Sequence, residues 1–280
     1  MGSRRRRNSR AAFASLAVLS LLLVGLVQPV AAAPRPDPRI IGGEPTGVGE
    51  YPFMVALLLE PRGGTDFDKQ YCGASLIASR WVLTAAHCVE FLNDPSEISV
   101  VAARTHLDST EGERRAVKAF YIHPDYDTNA ISPDVALIEL RQPITGVTPI
   151  RLAGASDDGL EAAGTPLTVI GWGNTDMRTN KASFPDELRE VVVPVVSDAR
   201  CTEVYKSFLV ADTMLCAGEG GIDSCQGDSG GPMFATVGGT QIQMGIVSWG
   251  IGCAKNHFPG VYSEVNSPTI RSFITAISGV

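Results

Sequence analysis

The apolar stretches of this chain are short, and that limits its fold more than any other feature. Between residues 52 and 265 they run four to nine residues, at 52–59, 73–78, 81–84, 98–102, 117–122, 134–140, 166–172, 188–196, 232–237, 241–249 and 260–265. Turn residues close each one, drawn from 29 glycines, 18 prolines and many small polar side chains. Segments of this length and spacing predict strands, so the expected fold is all-β, an antiparallel barrel or sandwich. Two pieces read as helical instead. Ser197 or Asp198 can cap a short helix reaching about Phe208. Ser267-Pro268 opens a terminal helix over 268–278, with Ile270, Phe273, Ile274 and Ile277 on one face.

The N-terminus follows a different pattern. Arg4 to Arg7 and Arg10 form a basic cluster, residues 11–27 are apolar, and Val30-Ala31-Ala32-Ala33 offers small residues for a signal peptidase. Residues 1–32 therefore read as a signal peptide for secretion to the extracellular space. A membrane anchor is the alternative, but the run is short for a span. The arginines also suit twin-arginine export. Of the chain's 23 basic and 30 acidic side chains, seven and one lie in residues 1–39; the remaining 16 and 29 give a net charge of −13. So acidic a remainder argues against nucleic acid as a partner and favours basic ligands. All six cysteines follow the signal: Cys72, Cys88, Cys201, Cys216, Cys225 and Cys253. An even count in an exported chain points to three disulfides, with 15 connectivities open by spacing alone. No Cys-x-x-Cys pair suggests zinc.

The chemistry concentrates in the loop Asp223-Ser-Cys-Gln-Gly-Asp-Ser-Gly-Gly-Pro232. A serine hydroxyl is a poor nucleophile unless a base takes its proton. Glycines let backbone N–H groups approach a reacting carbonyl oxygen and stabilise an oxyanion. The loop thus points to acyl transfer by Ser229 and requires a histidine and a carboxylate elsewhere. Of four histidines, His106 and His123 lie in polar, turn-like surroundings and His257 in a Gly/Pro-flanked loop. His87 differs, because it ends a strand beside Cys88 in a small-residue turn. Asp134 heads the apolar strand 134–140, where a carboxylate would be partly buried and in need of partners. It reads either as a strand-edge turn acid or as the partner of a His87 ring N–H.

Thr84-Ala-Ala-His-Cys88, Asp134-Val-Ala-Leu137 and Gly227-Asp-Ser-Gly-Gly-Pro232, in that order, resemble the chymotrypsin-like serine proteases, and among them secreted bacterial trypsins. Arg39-Ile-Ile-Gly-Gly43, Gly171-Trp-Gly173, Ser248-Trp-Gly250 and Pro259-Gly-Val-Tyr262 extend the resemblance over nearly all of 40–280. It implies two antiparallel six-stranded β-barrels, at about 40–147 and 148–265, followed by the C-terminal helix. It implies Ser229 as nucleophile, His87 as general base and acid, and Asp134 as the group that orients the imidazole. The N–H groups of Gly227 and Ser229 would form the oxyanion hole. Asp223 would floor a primary pocket for arginine or lysine, walled by Ser248, Trp249, Gly250 and Gly260. Residues 33–39 would be an activation propeptide, and cleavage after Arg39 would free an Ile40 ammonium to pair with Asp228. The disulfides would be Cys72–Cys88, Cys201–Cys216 and Cys225–Cys253, each worth about 3 kcal/mol or slightly more by chain entropy. The expected protein is a monomer that needs no cofactor, acts on protein or peptide substrates, and meets protein protease inhibitors.

Two stretches depart from the family. Where vertebrate trypsins carry a calcium loop, residues 104–113 offer Asp108, Glu111 and Glu113 as oxygen ligands. The length differs, however, and a non-acidic residue replaces the first glutamate, so calcium is not expected. Residues 60–70, with Gly63-Gly64, form a surface insert. Two rival readings were weighed. An α/β-hydrolase would match Gly-x-Ser-x-Gly, but after Ser229 the one acid, Glu264, follows His257, which is the wrong order. A binding protein on a protease scaffold would usually lack a triad member, and none is missing here.

Overall fold

The computed structural model describes residues 1–2, 43–176, 182–218 and 221–280. The chain divides into two compact units, Met1–Pro36 and Asp37–Val280; the architecture below is that of the second. Arg39 and Ile40, expected to form an activation site, and most of the expected signal segment lie outside the described residues.

Twelve strands build two closed rings. In the first, β1 (Met54–Leu59), β2 (Gln70–Ala78), β3 (Trp81–Thr84), β4 (Ile98–Ala102), β5 (Glu113–Ile122) and β6 (Ala136–Leu140) pair in the order β1-β2-β3-β6-β5-β4. Antiparallel pairing of β1 with β4 closes the ring. In the second, β7 (Pro166–Gly171), β8 (Arg189–Val196), β9 (Met214–Ala217), β10 (Pro232–Val237), β11 (Thr240–Trp249) and β12 (Gly260–Glu264) follow β7-β8-β9-β12-β11-β10. The β7–β8 and β7–β10 pairings complete it. Closure removes the exposed edges that strands this short would otherwise present.

The side-chain pattern explains the strands. In β8, Val191, Val193 and Val195 are buried while Val192 is half exposed, the alternation of a strand with one dry face. Strand β9 was not expected from the sequence. Its four residues, Met-Leu-Cys-Ala, are all buried and include no β-branched or aromatic side chain to mark a strand. The helices are α1 (Asp198–Tyr205), whose N-cap Ser197 accepts from Arg200 N, and α2 (Pro268–Ser278). Along α2, Ile270, Phe273 and Ile274 are buried, whereas Ile277 is exposed, contrary to its expected place on the core face. The structure joins Cys72 to Cys88, Cys201 to Cys216 and Cys225 to Cys253, at sequence separations of 16, 15 and 28.

The barrels meet along a seam that is apolar with a polar pin. Tyr51, Phe53 and Phe234 pack ring to ring, with centroids 5.3–6.0 Å apart. Beside them the fully buried Ser75 Oγ donates to Gln243 Oε1 at 2.7 Å. A buried polar pair of this kind requires a specific alignment, because either partner alone would be left unsatisfied.

Candidate active site

Loops from both rings converge at one end of this seam. His87 sits on the helical turn Ala86–Cys88 directly after β3, and the Cys72–Cys88 disulfide ties that turn to β2. Asp134 lies two residues before β6 and is 1% exposed. Its carboxylate accepts from His87 N at 3.0 Å, pairs with His87 Nδ1 at 2.8 Å, and accepts from the Ser248 hydroxyl. From the second barrel, Ser263 Oγ donates to the Asp134 carbonyl at 2.8 Å. A buried carboxylate held by so many donors is fixed in place. Its bond to Nδ1 leaves Nε2 as the ring nitrogen free for proton transfer. Burial pulls the imidazole down, but the hydrogen bond and charge of Asp134, with the nearby Glu90 carboxylate, carry it above the ordinary histidine value.

Ser229 lies in the loop between β9 and β10 and lines a cavity with Asp223, Ser248, Trp249, Gly250 and Gly260. Gly73 N of β2 donates to the Ser229 carbonyl at 2.7 Å, so the first barrel holds the backbone of Ser229 directly. No hydrogen bond joins the Ser229 hydroxyl to His87 Nε2; Nε2 lies 3.7 Å from Cys88 Sγ. Contacts of this kind often tighten only with substrate in place. In the same loop the Asp228 N–H is used by Cys225 O at 3.0 Å, while those of Gly227 and Ser229 have no acceptor among the described residues. Gly227 has φ +98°, a conformation that strongly favours glycine.

The cavity measures about 190 Å³, and Asp223 is part of its lining. That carboxylate is 3% exposed; Oδ2 accepts from Ala254 N at 3.1 Å, and Oδ1 is buried with no partner. Burial pushes its carboxyl up to about 7, against the restraint of the Ala254 and Ser224 N–H groups. A methyl group at Gly260 would stand 2.5 Å from Oδ1 and block it. Asp228 is completely buried and accepts from Cys225 N and Gly173 N at 2.9 and 2.8 Å. It has no cationic partner among the described residues, and burial raises its carboxyl to about 6.

Other sequence expectations fare differently. His123 does open a turn, with Tyr126 N donating to its carbonyl at 3.0 Å and Asp125 N to its Nδ1 at 3.2 Å, but its ring is buried and packs on Phe273 with ring centroids 5.0 Å apart. The residues at 104–113 do not fit a calcium ion. The loop wraps around Arg104, a buried cation, whose Nε donates to Glu111 O at 2.7 Å and whose Nη1 pairs with Asp66. Glu113 pairs with Arg115. The one cluster of possible metal ligands among the described residues is Cys72, His87 and Cys88, and its sulfurs are joined in a disulfide. Residues 60–70 are more than a surface insert. Glu60 meets Lys69 and Arg114 at 2.9 and 2.6 Å, and Gln70 reaches the nucleophile loop. The sequence reading missed Gln70 and Ser263, because neither carries a motif and each acts through a partner more than 100 positions away.

Known proteins give this geometry its context. The trypsin family model matches residues 40–274. A trypsin from Saccharopolyspora erythraea is 40% identical over 230 residues, 81% of this chain and 94% of its own length. A trypsin-like protease from Streptomyces glaucescens is 40% identical over 249 residues, 88% of this chain and 85% of its own. Trypsin-1 of the crayfish Astacus astacus is 38% identical over 236 residues, covering 81% and 95%. With two closed six-stranded antiparallel barrels and matches of this extent, the chain belongs to the trypsin family and is a chymotrypsin-like serine endopeptidase.

Proposed function

We propose that this endopeptidase is secreted as a zymogen and cuts peptide bonds after arginine or lysine. The observation that carries the specificity is the buried Asp223 Oδ1, which has no hydrogen-bond partner and belongs to a residue lining the cavity beside Ser229. A buried carboxylate left without a partner is costly, and a guanidinium or ammonium arriving from substrate satisfies it. Gly250 and Gly260 leave the path open.

In the reaction, Ser229 Oγ attacks the substrate carbonyl and passes its proton to His87 Nε2. The Gly227 and Ser229 N–H groups receive the negative charge on the carbonyl oxygen. Asp134 stabilises the imidazolium and holds its tautomer. Collapse expels the amine, which takes the proton from His87. Water then repeats the sequence on the acyl-enzyme and restores Ser229.

Residues 1–32 serve as the signal peptide and 33–39 as the propeptide. Cleavage after Arg39 frees the Ile40 ammonium, and Asp228, buried among backbone donors alone, is the carboxylate that receives it. Arg39 is a residue type that the enzyme's own pocket accepts, so activation is autocatalytic. Purified Ser229→Ala precursor should stay intact at Arg39 until active enzyme is added; maturation at the normal rate without another protease would rule autocatalysis out. Specificity is tested with matched chromogenic peptides ending in Arg, Lys, Phe and Ala. Turnover of the first two alone is expected. Cleavage after Phe or Ala instead would remove Asp223 from its assigned role.

A further inference from the structure

Gly227 is held through both of its peptide groups. The carbonyl of Gln226 shares a peptide plane with the Gly227 N–H and accepts from Asn174 N at 2.7 Å. In a trans peptide the N–H points opposite to the carbonyl, so this N–H is directed away from Asn174. The following peptide is held by its own carbonyl: Gln70 Nε2 donates to Gly227 O at 3.0 Å. Only the amide NH₂ can donate to a carbonyl, so the contact also fixes which way the Gln70 amide faces.

Glycine at φ +98° has no side chain to limit its alternatives. Within the loop, Asp228 N donates to Cys225 O at 3.0 Å and bears on the plane that follows Gly227; the further contacts on these two planes come from outside the loop. Gln70 supplies one across 157 positions of sequence and from the opposite barrel. It opens β2, the strand that also carries Gly73, donor to Ser229 O, and Cys72, bonded to Cys88 beside His87. Its own carbonyl accepts from Arg62 Nη1 at 3.1 Å, which holds the residue to the 60–70 segment. A single strand thus touches the serine, the histidine turn and the candidate oxyanion donor.

We propose that Gln70 is a positioning residue for the reaction. Its amide, anchored on Gly227 O, holds the peptides on either side of Gly227 so that the Gly227 N–H faces the oxygen on which negative charge develops. The inference rests on the reading of Gly227 as an oxyanion donor. Gln70 does not line the Asp223 cavity, so its contribution falls on the transition state and not on the binding of the basic side chain.

The test uses Gln70→Met, close in size but unable to donate, and Gln70→Glu, which sets a carboxylate against the Gly227 carbonyl. Each is made in the full chain, secreted and matured by its host, with the N-terminus sequenced and active centres titrated. For an arginyl anilide, kcat should fall about tenfold in Gln70→Met, the scale of one lost hydrogen bond, and further in Gln70→Glu. KM and inhibition by benzamidine, which probes the Asp223 pocket alone, should stay within about twofold. A peptidyl-argininal, whose adduct with Ser229 is tetrahedral, should weaken by the same factor as kcat/KM.

Wild-type protein that neither turns over anilide nor forms the adduct overturns the reading of Ser229 and Gly227 themselves. Active wild type with both variants equal to it in kcat and in aldehyde affinity overturns the role of Gln70 and leaves that reading standing. Benzamidine affinity falling in step with kcat also overturns it, since Gln70 would then support the whole site. Should Gln70→Met yield too few active centres, Gln70→Glu, which keeps size and polarity, decides by the same comparison.

Discussion

The two barrels share one strand order and nearly one charge inventory, yet they treat their carboxylates in opposite ways. Residues 54–140 carry 7 basic and 13 acidic side chains, and residues 166–264 carry 6 and 11. In the first barrel Glu60 is partly buried, but Ser99, Lys69 and Arg114 hold its carboxyl down at about 2. Lys118 lowers Glu139, and Asp134 is surrounded by donors. In the second barrel burial dominates. Asp223, Asp228 and Glu264 are pushed up to about 7, 6 and 8, and Glu161, on the connection leading into this barrel, to about 7. The difference is one of placement and not of composition. The first barrel is electrostatically complete and presents a finished base. The second holds buried acids that lack cationic partners among the described residues, two of them in the loop of Ser229, where a substrate side chain and a new N-terminus are proposed to arrive. Such sites trade stability for binding.

The sharpest break in this comparison comes from removing an unsatisfied acid. Asp223→Asn should cost about 10²–10³-fold or more in kcat/KM for arginyl peptides, the scale of losing one member of a buried ion pair at 3–5 kcal/mol. Its Tm should not fall, because the free protein loses a charge that nothing compensates. Lower activity with a lower Tm would mean that Asp223 braces the loop and that the two barrels do not differ as argued.

A second effect follows from protonation. At pH 6 a carboxyl titrating at about 7 is largely protonated, and it must ionise to receive a cation. Benzamidine binding should therefore release a proton, the more so as pH falls from 8 to 6. Calorimetry in buffers of different ionisation enthalpy reads this directly. No proton release at pH 6 would place Asp223 in the ordinary carboxylate range.

Stability against pH contrasts the barrels on a smaller scale. Glu264 has a folded-state pKa above its unfolded one, so its contribution is most favourable at low pH and is lost as pH rises through about 8. Glu60 runs the other way: its contribution is present above the unfolded value and is lost as pH falls toward about 2. Glu264→Gln should raise Tm at pH 8 by about 2 °C and leave it unchanged at pH 5. Glu60→Gln should lower Tm at pH 8. Scanning calorimetry of an inactivated Ser229→Ala background checks both without self-digestion.

The same contrast separates what the sequence made legible from what it did not. His87, Asp134 and Ser229 stand in contiguous motifs, and strands such as Trp81–Thr84, Ile98–Ala102 and Pro232–Val237 fall where turn spacing puts them, to the residue. Local chemistry writes such features into adjacent residues. Strand β9 escaped because Met-Leu-Cys-Ala holds no β-branched or aromatic residue, whereas the equally buried Ile98–Ala102 carries an isoleucine and two valines. His123 escaped because its partner, Phe273, arrives from the far end of the chain. The contacts that complete the site are non-local in the same sense: Ser263 on Asp134, Gln70 on Gly227, Gly73 on Ser229. Serines and glutamines occur everywhere in sequences, and only closure of the rings gives these ones a target.

The smallest predicted effect tests whether the first barrel is as complete as claimed. Glu90 follows the His87 turn and is exposed, and its charge adds to that of Asp134 in holding the imidazole above its ordinary value. Catalysis needs the neutral ring, so the acid limb of kcat/KM should lie above the usual histidine range of about 6.5. Glu90→Gln removes the outer charge alone and should move that limb to lower pH by a few tenths of a unit at most, because water and salt screen an exposed carboxylate. The shift should shrink further in 1 M salt, whereas the part owed to buried Asp134 should persist. A limb that collapses to the ordinary value in Glu90→Gln would show that the base is tuned from the surface, and the first barrel would then be as dependent on its surroundings as the second.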